Sequence, residues 1–151
     1  MIKQVNLSDA SVLLLSRKCF DELRKIYKPT EEAKRNKSKS SDDWTCYGYF
    51  INDELAGVID VKLQDNELQL SSLAIEPKYR RNGFSRKLIA GAASYYSGIN
   101  ILSVWCVEQT GNVAIFEALG FSVVERLESE LFEVVDGSKA IEVQLKQRAT
   151  V

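Results

Sequence analysis

The stretch from Trp44 to Ile75 constrains the fold most. It holds three runs rich in aromatic and β-branched residues, Trp44 to Ile51, Leu55 to Gln64 and Glu67 to Ile75, separated only by Asn52-Asp53-Glu54 and Asp65-Asn66. Connections that short reverse the chain between neighbours, so the runs predict three consecutive antiparallel strands. Pro77 follows the third run. The next apolar pattern, Phe84, Leu88, Ala92 and Tyr95, has helical spacing, and Ala90, Gly91 and Ala93 are small enough to lie close on a sheet. A meander of three strands followed by a helix over about 83–97 frames everything else.

Upstream, residues 2–6 read as a short strand. Ser8 and Asp9 offer an N-cap to a helix whose apolar stripe is Val12, Leu15, Cys19, Leu23 and Ile26, ending about Tyr27. Lys28 to Asp43 (KPTEEAKRNKSKSSDD) contains one alanine and no larger apolar residue, which predicts a polar mobile loop with at most one solvated helical turn after Thr30. Downstream, the nearly continuous apolar run from Ile101 to Val107 predicts a strand covered on both faces. A helix over about 110–118 stops at Gly120, and Phe121 to Val135 and Ala140 to Leu145 flank the hairpin signal Asp136-Gly137. The order β-α-βββ-α-β-α-ββ shows no internal repeat. It predicts one α/β (α+β) domain over residues 1–151, with a mixed, mostly antiparallel central sheet of about six or seven strands.

Composition narrows the chemistry. At 45% apolar and 27% charged residues the chain is globular, and a net charge of −1 gives no reason to expect nucleic acid or an anionic membrane as partner. No apolar run is long enough to span a bilayer. Cys19, Cys46 and Cys106 form no CxxC pair, which points to free thiols in a reducing compartment and a cytoplasmic protein. The chain has no histidine, so Ser-His-Asp and Cys-His catalysis and HExxH metal sites are excluded together. Carboxylates and thiolates do not cluster as a metal site would require, and no metal is expected. An enzyme built from this chain would rely on a bound co-substrate and on its own backbone.

The junction between the third strand of the meander and the following helix reads YRRNGFSRKL, with Arg80, Arg81, Arg86 and Lys87 around Asn82-Gly83. The first N–H groups of a helix lack internal partners and stand at the positive end of the helix dipole, so such a junction suits an anion. Arg80-Arg81-Asn82-Gly83-Phe84-Ser85 here, together with Asn112 ahead of Leu119-Gly120-Phe121, resembles the GNAT superfamily of N-acetyltransferases. The family's pyrophosphate signature is Gln or Arg, two residues, Gly, one residue, then Gly or Ala. The likeness runs from about Trp44 to Leu145 and is strongest between Leu70 and Val124.

The resemblance implies a GNAT-like fold splayed at the cofactor site, with acetyl-CoA as co-substrate and a small-molecule or peptide amine as acceptor. It implies that the loop of Arg80, Arg81, Asn82, Gly83, Phe84, Ser85 and Arg86 holds the pyrophosphate, and that the backbone of Leu73, Ala74 and Ile75 lines the pantetheine arm. Asn112 and Phe116 fall at further cofactor positions. Three departures stand out: Ser85 replaces the last Gly or Ala, Phe116 stands where many members carry a tyrosine acid, and Gln69 stands where some carry a glutamate base. Glu67, two residues before Gln69 and on the same face, is the alternative base acting through water, and the two are the candidate catalytic positions. Tyr95, Tyr96 and Cys106 are candidate replacement acids, although packing explains each better. A non-catalytic acyl-CoA-binding module and a transferase for a hydroxyl or a longer acyl group stay open. Apolar Leu131, Phe132, Val134 and Val135 suggest a homodimer through the C-terminal strands.

Overall fold

The structure, a computed structural model, describes residues 1–36 and 44–149. Among these, the elements run β1 (Ile2–Val5), α1 (Ala10–Arg24), β2 (Tyr27–Pro29), α2 (Glu31–Asn36), β3 (Thr45–Ile51), β4 (Glu54–Gln64), β5 (Glu67–Ile75), α3 (Phe84–Ala93), β6 (Ile101–Val107), α4 (Asn112–Ala118), β7 (Ser122–Val134) and β8 (Lys139–Arg148). Short 3-10 turns cover Pro77–Tyr79 and Glu108–Thr110. The mixed α/β class is as expected, with eight strands rather than six or seven. No described helix is long and apolar enough to cross a membrane.

The chain divides into two compact units, one of Met1–Phe20, Asp43–Leu102 and Arg148–Val151, the other of Asp21–Asp42 and Ser103–Gln147. In the first, the strands lie in the order β1-β3-β4-β5, each pair antiparallel. Val12, Leu15 and Cys19 of α1 pack on one face, against Cys46, Val58 and Ala74. Adjacent strand residues point to opposite faces, so Gly57, beside Val58, belongs to the other face. A Cβ on Gly57 would stand 3.4 Å from Leu88, which places α3 on that side.

In the second unit the strand order is β6-β8-β7-β2. β7 and β8 pair across the Asp136-Gly137 turn, where Ser138 N–H donates to Asp136 Oδ1 at 2.8 Å. Their ladder breaks between Glu128 and Glu133, and Ser129 Oγ accepts the N–H groups of Leu131 and Phe132 in the break. β2 pairs with β7 beyond it, and Tyr27 meets Phe132 edge-on at 5.2 Å.

Three boundaries differ from the sequence reading. α1 stops at Arg24 because the next N–H groups turn to bond three residues back, Lys25 to Glu22 and Ile26 to Leu23. α3 stops at Ala93 because its tyrosines leave the helical line: Tyr95 stacks on Tyr47 at 4.9 Å and donates to Ile2 O, and Tyr96 accepts from Tyr47. The expected loop of 28–43 begins instead inside β2 and continues into α2, while 37–43 fall outside the described residues.

Candidate active site

The loop between β5 and α3 ties its own carbonyls together through a side chain of the loop. Glu76 N–H, bonded to Ala56 O at 2.8 Å, closes the strand ladder, and Pro77 opens the 3-10 turn. Asn82 then donates to both Tyr79 O (3.3 Å) and Arg80 O (3.1 Å). Arg81 and Gly83 both adopt left-handed backbone, at φ 66° and 75°, so the chain kinks twice before α3 begins. Gly83 is the N-cap and α3 has no side-chain cap. The first N–H groups of the helix therefore have no side chain folded over them. A Cβ on Gly83 would meet nothing within 4 Å, so the glycine is there for its dihedral, and the space above it is open.

The arginines do not act alike. Arg80 turns back on its own unit, with Nε on Ile75 O at 3.1 Å and Nη2 3.5 Å from Cys19 Sγ. Arg81 is exposed. Phe84 anchors the helix start between Tyr49 (5.4 Å) and Tyr79 (5.8 Å), with Lys87 over its ring. Tyr79 in turn donates to Glu54, which also pairs with Lys78; the Lys78 hydrogen bond first, and then that from Tyr79, hold the Glu54 carboxyl below its usual range.

The strand leading into the loop carries a second irregularity. β4 and β5 pair Val58 with Ala74 and then Asp60 with Ser71, three steps on β5 against two on β4. The extra residue makes a β-bulge, and Ser72 within it is left-handed at φ 53°. Ser72 and Cys46 side chains both hydrogen-bond Asp60, and Ser71 Oγ lies 3.4 Å from Ser72 Oγ. Burial pushes the Asp60 carboxyl above its usual range, with the two hydrogen bonds opposing. Burial, with the Asp60 charge adding to it, pushes the Cys46 thiol up to about 12. The thiol is thus a protonated donor. Beyond the bulge Ala74 and Ile75 are buried and Leu73 is half-buried.

A family model described as an acetyltransferase (GNAT) domain matches residues 9–136. The chain belongs to the GNAT acetyltransferase family. It is therefore an acetyltransferase with acetyl-CoA as co-substrate. No curated protein matches it. Among solved structures, the ribosomal-protein-S18-alanine N-acetyltransferase of Escherichia coli is 17% identical with a TM-score of 0.68, over 100% of this chain and 94% of that one. The protein smu.2055 of Streptococcus mutans is 20% identical with a TM-score of 0.71, over 98% of each chain. A Bacillus subtilis acetyltransferase in complex with CoA is 15% identical with a TM-score of 0.67, over 99% and 98%. At these identities the likeness is one of fold.

α3 starts without a side-chain cap, behind two left-handed residues and below open space at Gly83, features whose chemistry is compatible with an anion such as a diphosphate. The positions expected to do acid and base work look different. Gln69 donates to Gln64 Oε1 at 3.1 Å on the strand surface, and Glu67 is half-buried at the end of the same strand. In the second unit, Asn112 opens α4, its N–H bonded to Thr110 Oγ1. Phe116 is buried edge-on against Phe121 at 5.7 Å. Burial, then the Glu108 charge, raises the Cys106 thiol to about 11.

Sequence reasoning passed over Asp60 and Ser72. A signal was present, since Asp60 interrupts the apolar run LAGVIDV, but its weight comes from the cross-strand partners, which no local pattern reveals.

Proposed function

We propose that this GNAT protein transfers the acetyl group of acetyl-CoA to the nitrogen of a small-molecule or peptide amine, by direct attack of the bound amine. Acetyl-CoA supplies the activated acyl group; the chain supplies orientation and electrostatics. The observation that carries the reading is the uncapped, left-handed start of α3 at Gly83. Around it, Arg81, Gly83, Phe84, Ser85 and Arg86 bind the pyrophosphate through backbone N–H groups and rim charge. Arg80 and Asn82 hold the loop in shape. The backbone of Leu73, Ala74 and Ile75 lies along the pantetheine arm, and a main-chain N–H there faces the acyl oxygen. Asn112 and Phe116 are carried over from the family as further cofactor contacts. Residues 1–151 work as one acetyltransferase domain, a reading supported by a family match that draws on both units. The protein acts in the cytoplasm. A homodimer, supported by exposed Leu131 and Val135, is tested by light scattering.

Calorimetric titration with acetyl-CoA tests the site, with Gly83→Glu as control. Binding by the parent and its loss in the variant are expected, because the new carboxylate stands in the space the diphosphate needs. Equal affinity in the two would remove the loop from the account. Coenzyme A release across an amine panel then tests the reaction. Binding without coenzyme A release across the whole panel would overturn the amine-acceptor reading.

A further inference from the structure

The family position that some members fill with glutamate is Gln69 here, and an amide cannot accept a proton in its place. Gln69 faces Lys62 across the ladder; two residues on, Ser71 faces Asp60. Side chains directly opposite share a face and recur every second residue, so Gln69, Ser71, Asp60 and Lys62 all lie on one face. A carboxylate therefore stands diagonally across from Gln69, on the neighbouring strand. Cys46, opposite Asp60 on β3, marks this as the α1 side of the sheet. Asp60 is half-buried, so part of it reaches solvent. It is bonded to Ser72, and the residue after Ser72 is Leu73, where the proposed pantetheine-lining segment begins.

We propose that Asp60 accepts the proton of the incoming amine, directly or through the Ser72 hydroxyl. This rests on the amine-acceptor reading above. The amine arrives as its ammonium: one N–H bond breaks and that proton passes to an Asp60 oxygen; where Ser72 intervenes, it receives one proton as it gives up its own. The freed nitrogen bonds to the acetyl carbon, the carbon–sulfur bond breaks with its electron pair on the coenzyme A sulfur, and the second N–H proton passes to that thiolate. Asp60 later returns the proton to water. The groups around Asp60 are Cys46 from β3, Ser71 and Ser72 from β5 and Lys62 next along its own strand, while α1 offers this face apolar Val12 and Leu15 and the thiol of Cys19. A carboxyl held above its usual range by burial is a stronger base than a free aspartate, which suits the task.

The test measures kcat/KM against pH for the parent, Asp60→Asn, Asp60→Glu and Ser72→Ala on the best amine found, with acetyl-CoA calorimetry on each. Asp60→Asn is expected to lose roughly 10²-fold at neutral pH while binding acetyl-CoA as the parent does. Its deficit should shrink as pH rises towards the amine's own pKa, because a free amine needs less help. Asp60→Glu should recover part of the rate. An Asp60→Asn profile that overlays the parent's overturns the proposal, as does a rate loss matched by lost acetyl-CoA affinity, which marks a structural role. If Asp60→Asn does not fold, Ser72→Ala decides: a displaced acid limb supports the proposal and an unchanged one overturns it. A parent that releases no coenzyme A with any amine defeats the acceptor reading and this inference together, whereas an active parent with an unaffected Asp60→Asn defeats this inference alone.

Discussion

Asp60 carries a cost in stability. Its carboxyl titrates above the usual range in the folded protein, chiefly because burial disfavours the charge. A raised folded pKa means the folded state holds the proton more tightly than the unfolded state does. The stability linked to that proton is complete below the unfolded pKa of about 3.8 and is lost as pH rises through the folded value. As that proton is lost with rising pH, the desolvated carboxylate is destabilising relative to its neutral form, an effect only partly offset by Cys46 and Ser72. Asp60→Asn should therefore melt at or above the parent's temperature at pH 7, and the advantage should fade below about pH 4, where both chains are neutral at this position. Thermal melts across that range check the sign. An Asn variant weaker at pH 7 than at acid pH, relative to parent, would mean that Asp60 is held for stability and not for chemistry.

At the scale of elements, the irregular end of β5 depends on a close approach from β4. Gly57 pairs with Ile75, and a Cβ there would lie 2.6 Å from Ile75 Cδ1 and 3.1 Å from Ala74 O. The side-chain tip can swing away; the backbone carbonyl cannot do so without shifting the ladder. Gly57→Ala should cost about 1–3 kcal/mol, as overpacking does, and weaken acetyl-CoA binding by displacing Ala74 and Ile75. Urea unfolding and calorimetry read the two effects, and a stable variant with full affinity would show that this approach is not needed. The meander itself was legible in the sequence because alternation and two tight turns define it locally. β2 was not: Tyr27-Lys28-Pro29 is too short for periodicity, and it is a strand only because Val134, Glu133 and Phe132 offer it an edge. The loop signature was legible as a motif, but the contact of Arg80 with Cys19, 61 residues away, was not. In the same way Asp60 reads locally as an odd residue in a strand, and it becomes a candidate site only through Cys46, Ser71 and Ser72 on its two neighbours.

For the whole molecule, the choice of acceptor follows from what the chain lacks. With no histidine in the chain and Asp60 as the proposed base, the strongest proton acceptor proposed for the site is a carboxylate. Taking a proton from a lysine-type ammonium, with a pKa near 10.4, is far uphill for such a group. An α-ammonium, near 7.7–8.0, is partly free already at neutral pH and gives up its proton more readily. At pH 7 the free fraction of an α-amine exceeds that of a lysine side chain by roughly two orders of magnitude. The protein should therefore turn over peptide or small-molecule α-amines at least that much faster than lysine side chains of comparable affinity, and the gap should narrow as pH rises. Coenzyme A release measured on a peptide with a free N-terminus, and on the same peptide blocked there but carrying a lysine, separates the two. Equal rates at pH 7 would mean that a stronger base than Asp60 reaches the acceptor nitrogen.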